Sequence, residues 1–148
     1  MAGKPAKPHI FVDADVLFAG AASPNAYSAS LVILRMAEIT LIEALVSEQV
    51  ITEVERNLAE KMPAAMPAFR MLVNRCLGVV SDPSADEVKL LSKVADPKDL
   101  PILAAAIRDG CTYLTTYNIR HYQPGVPSVI VLTPGDLVRR IRYLLAEM

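Results

Sequence analysis

Asp13 and Asp15 stand two residues apart where the apolar run His9-Ile10-Phe11-Val12 gives way to polar chain. The run reads as a buried strand whose carboxyl end meets solvent, and strand alternation would send both carboxylates off the same face. Such acids can hold a metal ion, or they can cap a following helix, a role open to Asp15 if that helix begins near Leu17. A second pair, Asp96 and Asp99, lies in Ala-Asp-Pro-Lys-Asp-Leu-Pro. Pro101 lacks an N–H and is tolerated only in a first turn, so a helix starts near Asp99 with Asp99 as its N-cap. A capping aspartate needs no function to explain it. Thr115, Thr116 and Asn118 close another apolar run. In α/β sheets, ligands bind beyond the carboxyl ends of the strands, which is where these residues fall.

Other groups carry less chemistry on local grounds. Glu53 borders the apolar stripe of its helix, and periodicity does not separate it from Glu55 on the other border. His121 lies three residues past Asn118 and reads as a loop histidine, because water held on a metal needs no histidine to activate it. Arg120, Arg70 and Arg75 are candidate contacts for a phosphate chain, whereas Arg139, Arg140 and Arg142 read as a solvated face of the last helix. Cys76 and Cys111 have no CxxC partner, which excludes a disulfide framework or a zinc site and leaves two buried thiols.

The elements that must position these groups alternate along the chain. Residues 1–8, with two Lys-Pro pairs, read as a flexible leader. After the first strand come a turn at 23–25, a helix over 26–38, a strand within 40–46, and a helix to about Lys61 capped by Ser47. A helix over 68–77, a strand at 78–81 and a helix over 84–94 follow. The chain then gives a helix over 95–110, strands at 111–116 and 128–132, and a final helix from Pro134 to Met148. Helices alternating with short apolar strands argue for an α/β parallel sheet wrapped by helices, in one domain over 9–148.

Composition narrows the classes. At 148 residues, 53% hydrophobic and 21% charged, the chain suits one globular core. Its net charge of −1 lends no support to a broadly basic nucleic-acid surface. The longest uncharged stretch, 16–34, is broken by Pro24, Asn25 and serines, so no membrane span is expected. With no apolar segment of the secretory kind behind the basic N-terminus, a cytoplasmic protein is expected.

Taken in order, FVDADVL, SEQVITEVERNL, ADPKDLPILAAAIRDG and YLTTYNIRHY resemble the PIN-domain family, VapC-like toxin ribonucleases in particular. The resemblance covers about residues 9 to 135. It implies a three-layer α/β/α fold around a parallel sheet of four to five strands. It names Asp13, Glu53 and Asp99 as catalytic and metal-holding acids, Asn118 as a fourth ligand where the family usually has aspartate, and Asp15, Asp96 and Thr116 as accessories. Asn118 keeps a carbonyl oxygen but no charge.

Elementary electrostatics fits that grouping. Two carboxylates about 4 Å apart repel by about 4 kcal/mol at an effective dielectric of 20, so three in one pocket call for protonation or a cation. All-oxygen ligands favour Mg2+ or Mn2+. The resemblance implies hydrolysis of RNA phosphodiesters to a 5′-phosphate and a 3′-hydroxyl, a small antitoxin whose basic side chain enters the acidic pocket, and a homodimer. Two alternatives stand beside it. One is a degenerate PIN domain that binds RNA or protein without catalysis. The other is a haloacid-dehalogenase-like phosphatase, suggested by Asp13-Ala-Asp15, although Val16-Leu17 stands where that family wants Gly-Thr. On the ribonuclease reading, Asp13→Asn abolishes cleavage and Asn118→Asp leaves or raises it.

Overall fold

Residues 9–12 carry no formal charge apart from a titratable histidine, and in the computed structural model of this chain they form strand β1 (His9–Val12), with Ile10, Phe11 and Val12 fully buried. The structure describes residues 7–23, 25 and 28–147. Strands β2 (Glu43–Ser47), β3 (Leu77–Val80), β4 (Tyr113–Thr115) and β5 (Ile130–Leu132) join β1 in an all-parallel sheet of order β3-β2-β1-β4-β5. A central strand covered on both faces must be apolar throughout, which is what β1 is.

Seven helices complete the described chain: α1 (Ala14–Ala22), α2 (Ala29–Glu38), α3 (Glu48–Lys61), α4 (Met66–Cys76), α5 (Ala85–Lys89), α6 (Leu100–Arg108) and α7 (Pro134–Ala146). Right-handed crossovers put the helices between β1, β2 and β3 on one face. They put α5 and α6, which link β3 to β4 in the opposite direction, on the other. The packing agrees: α1 meets α2, α3 and α4, α2 meets α4 and α7, and α5 meets α6. The architecture is therefore the expected three-layer α/β/α, with five strands. Val50, Val54 and Leu58 of α3 and Leu103, Ala105 and Ala106 of α6 are buried in the core.

Several boundaries differ from the sequence expectations. The first strand stops at Val12, and α1 begins at once, where a strand running on to Asp15 was expected. Asp13 caps that helix, so Asp13 and Asp15 do not share a strand face. The helix expected from 26 begins at Ala29 behind Ser28, whose hydroxyl accepts from the Leu31 N–H. Part of the turn expected at 23–25, namely Pro24, lies outside the described residues, as do Ala26, Tyr27, Met148 and residues 1–6 of the expected leader. Pro8 already belongs to the sheet, since its carbonyl accepts from Glu43 N–H at 2.9 Å. The helix expected over 84–94 is only one turn and a half. A 3-10 turn (Pro97–Asp99) precedes α6, because two prolines close together cannot both sit inside one helix. Helix α6 ends where Gly110 takes φ +72°, the left-handed conformation that a helix stop uses, and Cys111 N–H returns to the Ala106 carbonyl at 2.9 Å.

The strand order reverses between β1 and β4. That makes their carboxyl ends the switch point of the sheet, where an α/β fold opens a crevice. The Asp13 N–H donates to the Thr115 carbonyl at 3.1 Å, joining the two strand ends there. Among the described residues, no helix is long and apolar enough to cross a membrane.

Candidate functional site

At the switch point, Asp13 is buried, and each of its carboxylate oxygens has its own donor. Oδ1 accepts from the Ala14 N–H at 2.8 Å, capping α1, and Oδ2 accepts from the Tyr122 hydroxyl at 2.8 Å. In the first turn of α1, Asp15 meets the segment after β4. Its Oδ2 accepts from the Tyr117 N–H at 2.9 Å, from Asn118 Nδ2 at 3.2 Å and from the Thr116 hydroxyl at 3.3 Å. The Asn118 N–H in turn donates to the Thr116 hydroxyl at 3.0 Å. Burial, followed by the charge of Asp13, pushes the Asp15 carboxyl up to about 6 despite these donors.

Asp99 arrives from the other side, as N-cap position of α6, but it makes no capping hydrogen bond. Its side chain is turned inward and only 13% exposed, with Oδ2 at 3.3 Å from His121 Nδ1. That contact is not aligned as a hydrogen bond, so Asp99 Oδ2 is a buried acceptor without a hydrogen-bond partner. Such atoms are rare in folded proteins and mark strain, an ion or a working group. Burial first and Asp13 second push Asp99 up to about 6, against the opposing charges of Lys98 and His121. Asp96 does the local work that was expected of Asp99: its side chain accepts from the Lys98 N–H at 3.3 Å and caps the 3-10 turn.

Glu53 lines a cleft of about 490 Å³ together with Asp99, Arg56, Lys98 and Asp82. Its pKa is raised by burial and then by Asp13, and lowered by Lys98 and Arg56. Glu55 instead faces Arg70 at 3.8 Å, so the structure separates two acids that periodicity left equivalent. Arg120 and His121 lie beside Asn118. Arg75 lines a separate groove with residues of α1, α2 and α4.

Asp13 is thus the charge that Asp15, Glu53 and Asp99 all feel, although the three sit on different elements. All donors are oxygens, and a hard divalent cation is the ion that such a set suits. The unpaired Asp99 oxygen and the mutual repulsion are both relieved by positive charge. Among the described residues, no three acid side chains already stand close enough to enclose an ion, so holding one requires side chains to rotate. Asn118, expected as a ligand through its carbonyl oxygen, donates its side-chain N–H to Asp15, a bond that does not use that oxygen. Tyr122 and Lys98 were not anticipated. A tyrosine four residues past Asn118, one short turn away, was the available signal.

The sequence matches the PIN domain family over residues 9–120. No curated protein matches it in sequence. Solved structures share its fold. A chain of the VapBC2 complex from Rickettsia felis, crystallised with a DNA fragment of its promoter, superposes with a TM-score of 0.63 at 14% identity, over 84% of this chain and 98% of that one. PAE2754 from Pyrobaculum aerophilum gives 0.66 at 20% identity, over 95% and 99%. The Mycobacterium tuberculosis toxin VapC20, which cleaves the sarcin-ricin loop, gives 0.51 at 17%, over 71% and 86%.

Proposed function

Because the chain belongs to the PIN-domain family, we propose that it is an Mg2+- or Mn2+-dependent endoribonuclease, the toxin of a toxin–antitoxin pair. One observation carries this: at the sheet's switch point a buried Asp13 stands near an Asp99 whose buried Oδ2 has no hydrogen-bond partner, and burial first, then the charge of Asp13, raise the pKa of Asp15, Glu53 and Asp99. The similarity in fold to a sarcin-ricin-loop-cleaving toxin and to a VapBC2 chain supports RNA as substrate and a small protein as partner.

In this proposal Asp13, Glu53 and Asp99 hold the cation, which when bound lowers the pKa of water and offsets charge on the phosphate. The chain's own groups prepare the place. The α1 cap and Tyr122 orient Asp13. Thr116 and Asn118 orient Asp15, Asn118 through its side-chain N–H, which leaves its carbonyl oxygen out of that bond. Arg56 and Lys98, beside Glu53 and Asp99 in the cleft, face the approaching backbone and reduce its repulsion from the acids. An antitoxin arm with one arginine or lysine fits the same acidic cleft, and a cytoplasmic homodimer is the expected setting.

The test is cleavage of structured RNA by the purified chain with Mn2+, with EDTA, and after Asp13→Asn. The proposal expects cleavage in the first case only. Equal cleavage by Asp13→Asn, or none by the wild type, would overturn it. The second reading, a PIN domain that binds without cutting, is favoured by the acids not yet surrounding one point, and RNA binding without cleavage at any divalent concentration would select it.

A further inference from the structure

Among the described residues Tyr122 is the largest fully buried side chain, 2% exposed, and its hydroxyl reaches the one oxygen of Asp13 that helix capping leaves free. It belongs to a 3-10 turn (Ile119–Tyr122) that follows Asn118. Three side chains of this short stretch each meet a different carboxylate. Asn118 Nδ2 donates to Asp15, His121 Nδ1 lies 3.3 Å from Asp99, and the Tyr122 hydroxyl donates to Asp13. The stretch is itself pinned, since the Asp96 N–H donates to the His121 carbonyl at 2.7 Å and the Gly125 N–H to the Val94 carbonyl at 2.8 Å. The loop between β4 and β5 therefore spaces three acids that lie on α1 and at the start of α6.

We propose that Tyr122 is a positioning residue acting through Asp13: its hydroxyl fixes the Asp13 carboxylate in one orientation and so sets how tightly the site holds a divalent cation. It rests on the cation-dependent site proposed above. A buried tyrosine hydroxyl ordinarily finds some acceptor. Here the acceptor is the acid at the centre of the site, and no other side chain donates to that oxygen among the described residues. Without the hydroxyl, Asp13 keeps its cap through Oδ1 but turns freely about it. Groups that orient a metal-holding side chain in this way are worth on the order of 10–100-fold in affinity.

The experiment is calorimetric titration of Mn2+ into the intact wild type, Tyr122→Phe, Asp13→Ser and the double variant, with RNA cleavage run in parallel. Tyr122→Phe is expected to bind Mn2+ about 10–100-fold more weakly, with a lower kcat and a KM for RNA within about twofold of wild type. Serine at 13 still caps α1 but cannot reach Tyr122 and removes a cation-holding acid, so that background is read by stability in EDTA, where Tyr122→Phe should show none of the loss it shows beside Asp13. Unchanged Mn2+ affinity in Tyr122→Phe would overturn the proposal. So would an equal loss of stability in the Asp13→Ser background, or a Tyr122→Phe chain that no longer folds, because the hydroxyl would then serve structure alone. A wild type that takes up no Mn2+ defeats the cation-dependent site itself, a result distinct from normal uptake that Tyr122→Phe leaves untouched.

Discussion

Asn118 donates its side-chain amide to Asp15 Oδ2 at 3.2 Å, and an aspartate in its place would have no hydrogen to give. It would set a second negative charge against a carboxyl already pushed up to about 6. Asn118→Asp is therefore expected to destabilise the fold by about 1–2 kcal/mol at pH 8. The cost should be smaller at pH 5, where Asp15 is largely protonated and can donate instead. Urea denaturation at the two pH values measures this. The variant should also cleave no faster than wild type, contrary to what the family pattern by itself suggests. Equal stability at pH 8, or faster cleavage, would refute this role for Asn118.

Much of the frame was legible because it follows from local rules. The apolar run of β1, the Ser47 cap, the α3 stripe and the Pro101 helix start all follow from periodicity and proline chemistry. Helix α1 was anticipated only as a helix that could begin near Leu17 behind Asp15, since Val16 to Ala22 is apolar on every side and carries no amphipathic stripe to mark its start. That late start put Asp13 and Asp15 on one strand face, when they belong to a cap and a first turn. Asp13 and Asp99 stood out as candidates through their places at a strand end and a helix start. Glu53 was set apart from Glu55 by the family resemblance and not by periodicity, because what lies opposite each is a tertiary fact. The Tyr122 bond to Asp13 joins residues far apart in sequence, which no local pattern encodes.

The raised carboxyls make stability depend on pH. Asp15 and Asp99 sit at about 6 in the folded chain against an ordinary 3.8, so each favours folding fully below about pH 4 and loses that contribution as pH rises through 6. In EDTA, the chain should therefore be less stable at pH 7.5 than at pH 5. Mn2+ should reverse the order, because it binds the ionised acids. Thermal melts at both pH values, with and without Mn2+, decide it. Rising stability from pH 5 to 7.5 in EDTA would contradict the assignment.

Asp99→Asn separates stability from function. It removes a buried charge that burial and Asp13 both disfavour, so in EDTA at pH 8 the variant should melt higher than wild type. A gain of about 1 kcal/mol corresponds to about 4 °C for a chain of this size. The same change removes an acid proposed to hold the cation, so the Mn2+-induced rise in Tm should largely vanish and cleavage should fall to background. A variant that melts lower in EDTA yet keeps its Mn2+ response would exclude both roles.

Arg56 and Lys98 line the cleft with Glu53 and Asp99, and neither forms an ion pair within 4 Å among the described residues. Cations held near acids but not paired with them remain available to a phosphate backbone. Each contact to a single strand should contribute about 0.7 to the slope of log affinity against log salt. Replacing both with alanine should flatten that slope by about 1.4 and weaken RNA binding evenly across sequences. The two residues differ in one respect. Lys98 lowers the pKa of both Glu53 and Asp99, whereas Arg56 lowers that of Glu53 alone. Lys98→Ala should therefore move the acid limb of the cleavage profile to higher pH further than Arg56→Ala does. Salt titrations of binding and pH profiles of kcat test the two effects independently. An unchanged salt slope in the double variant would show that the backbone passes elsewhere.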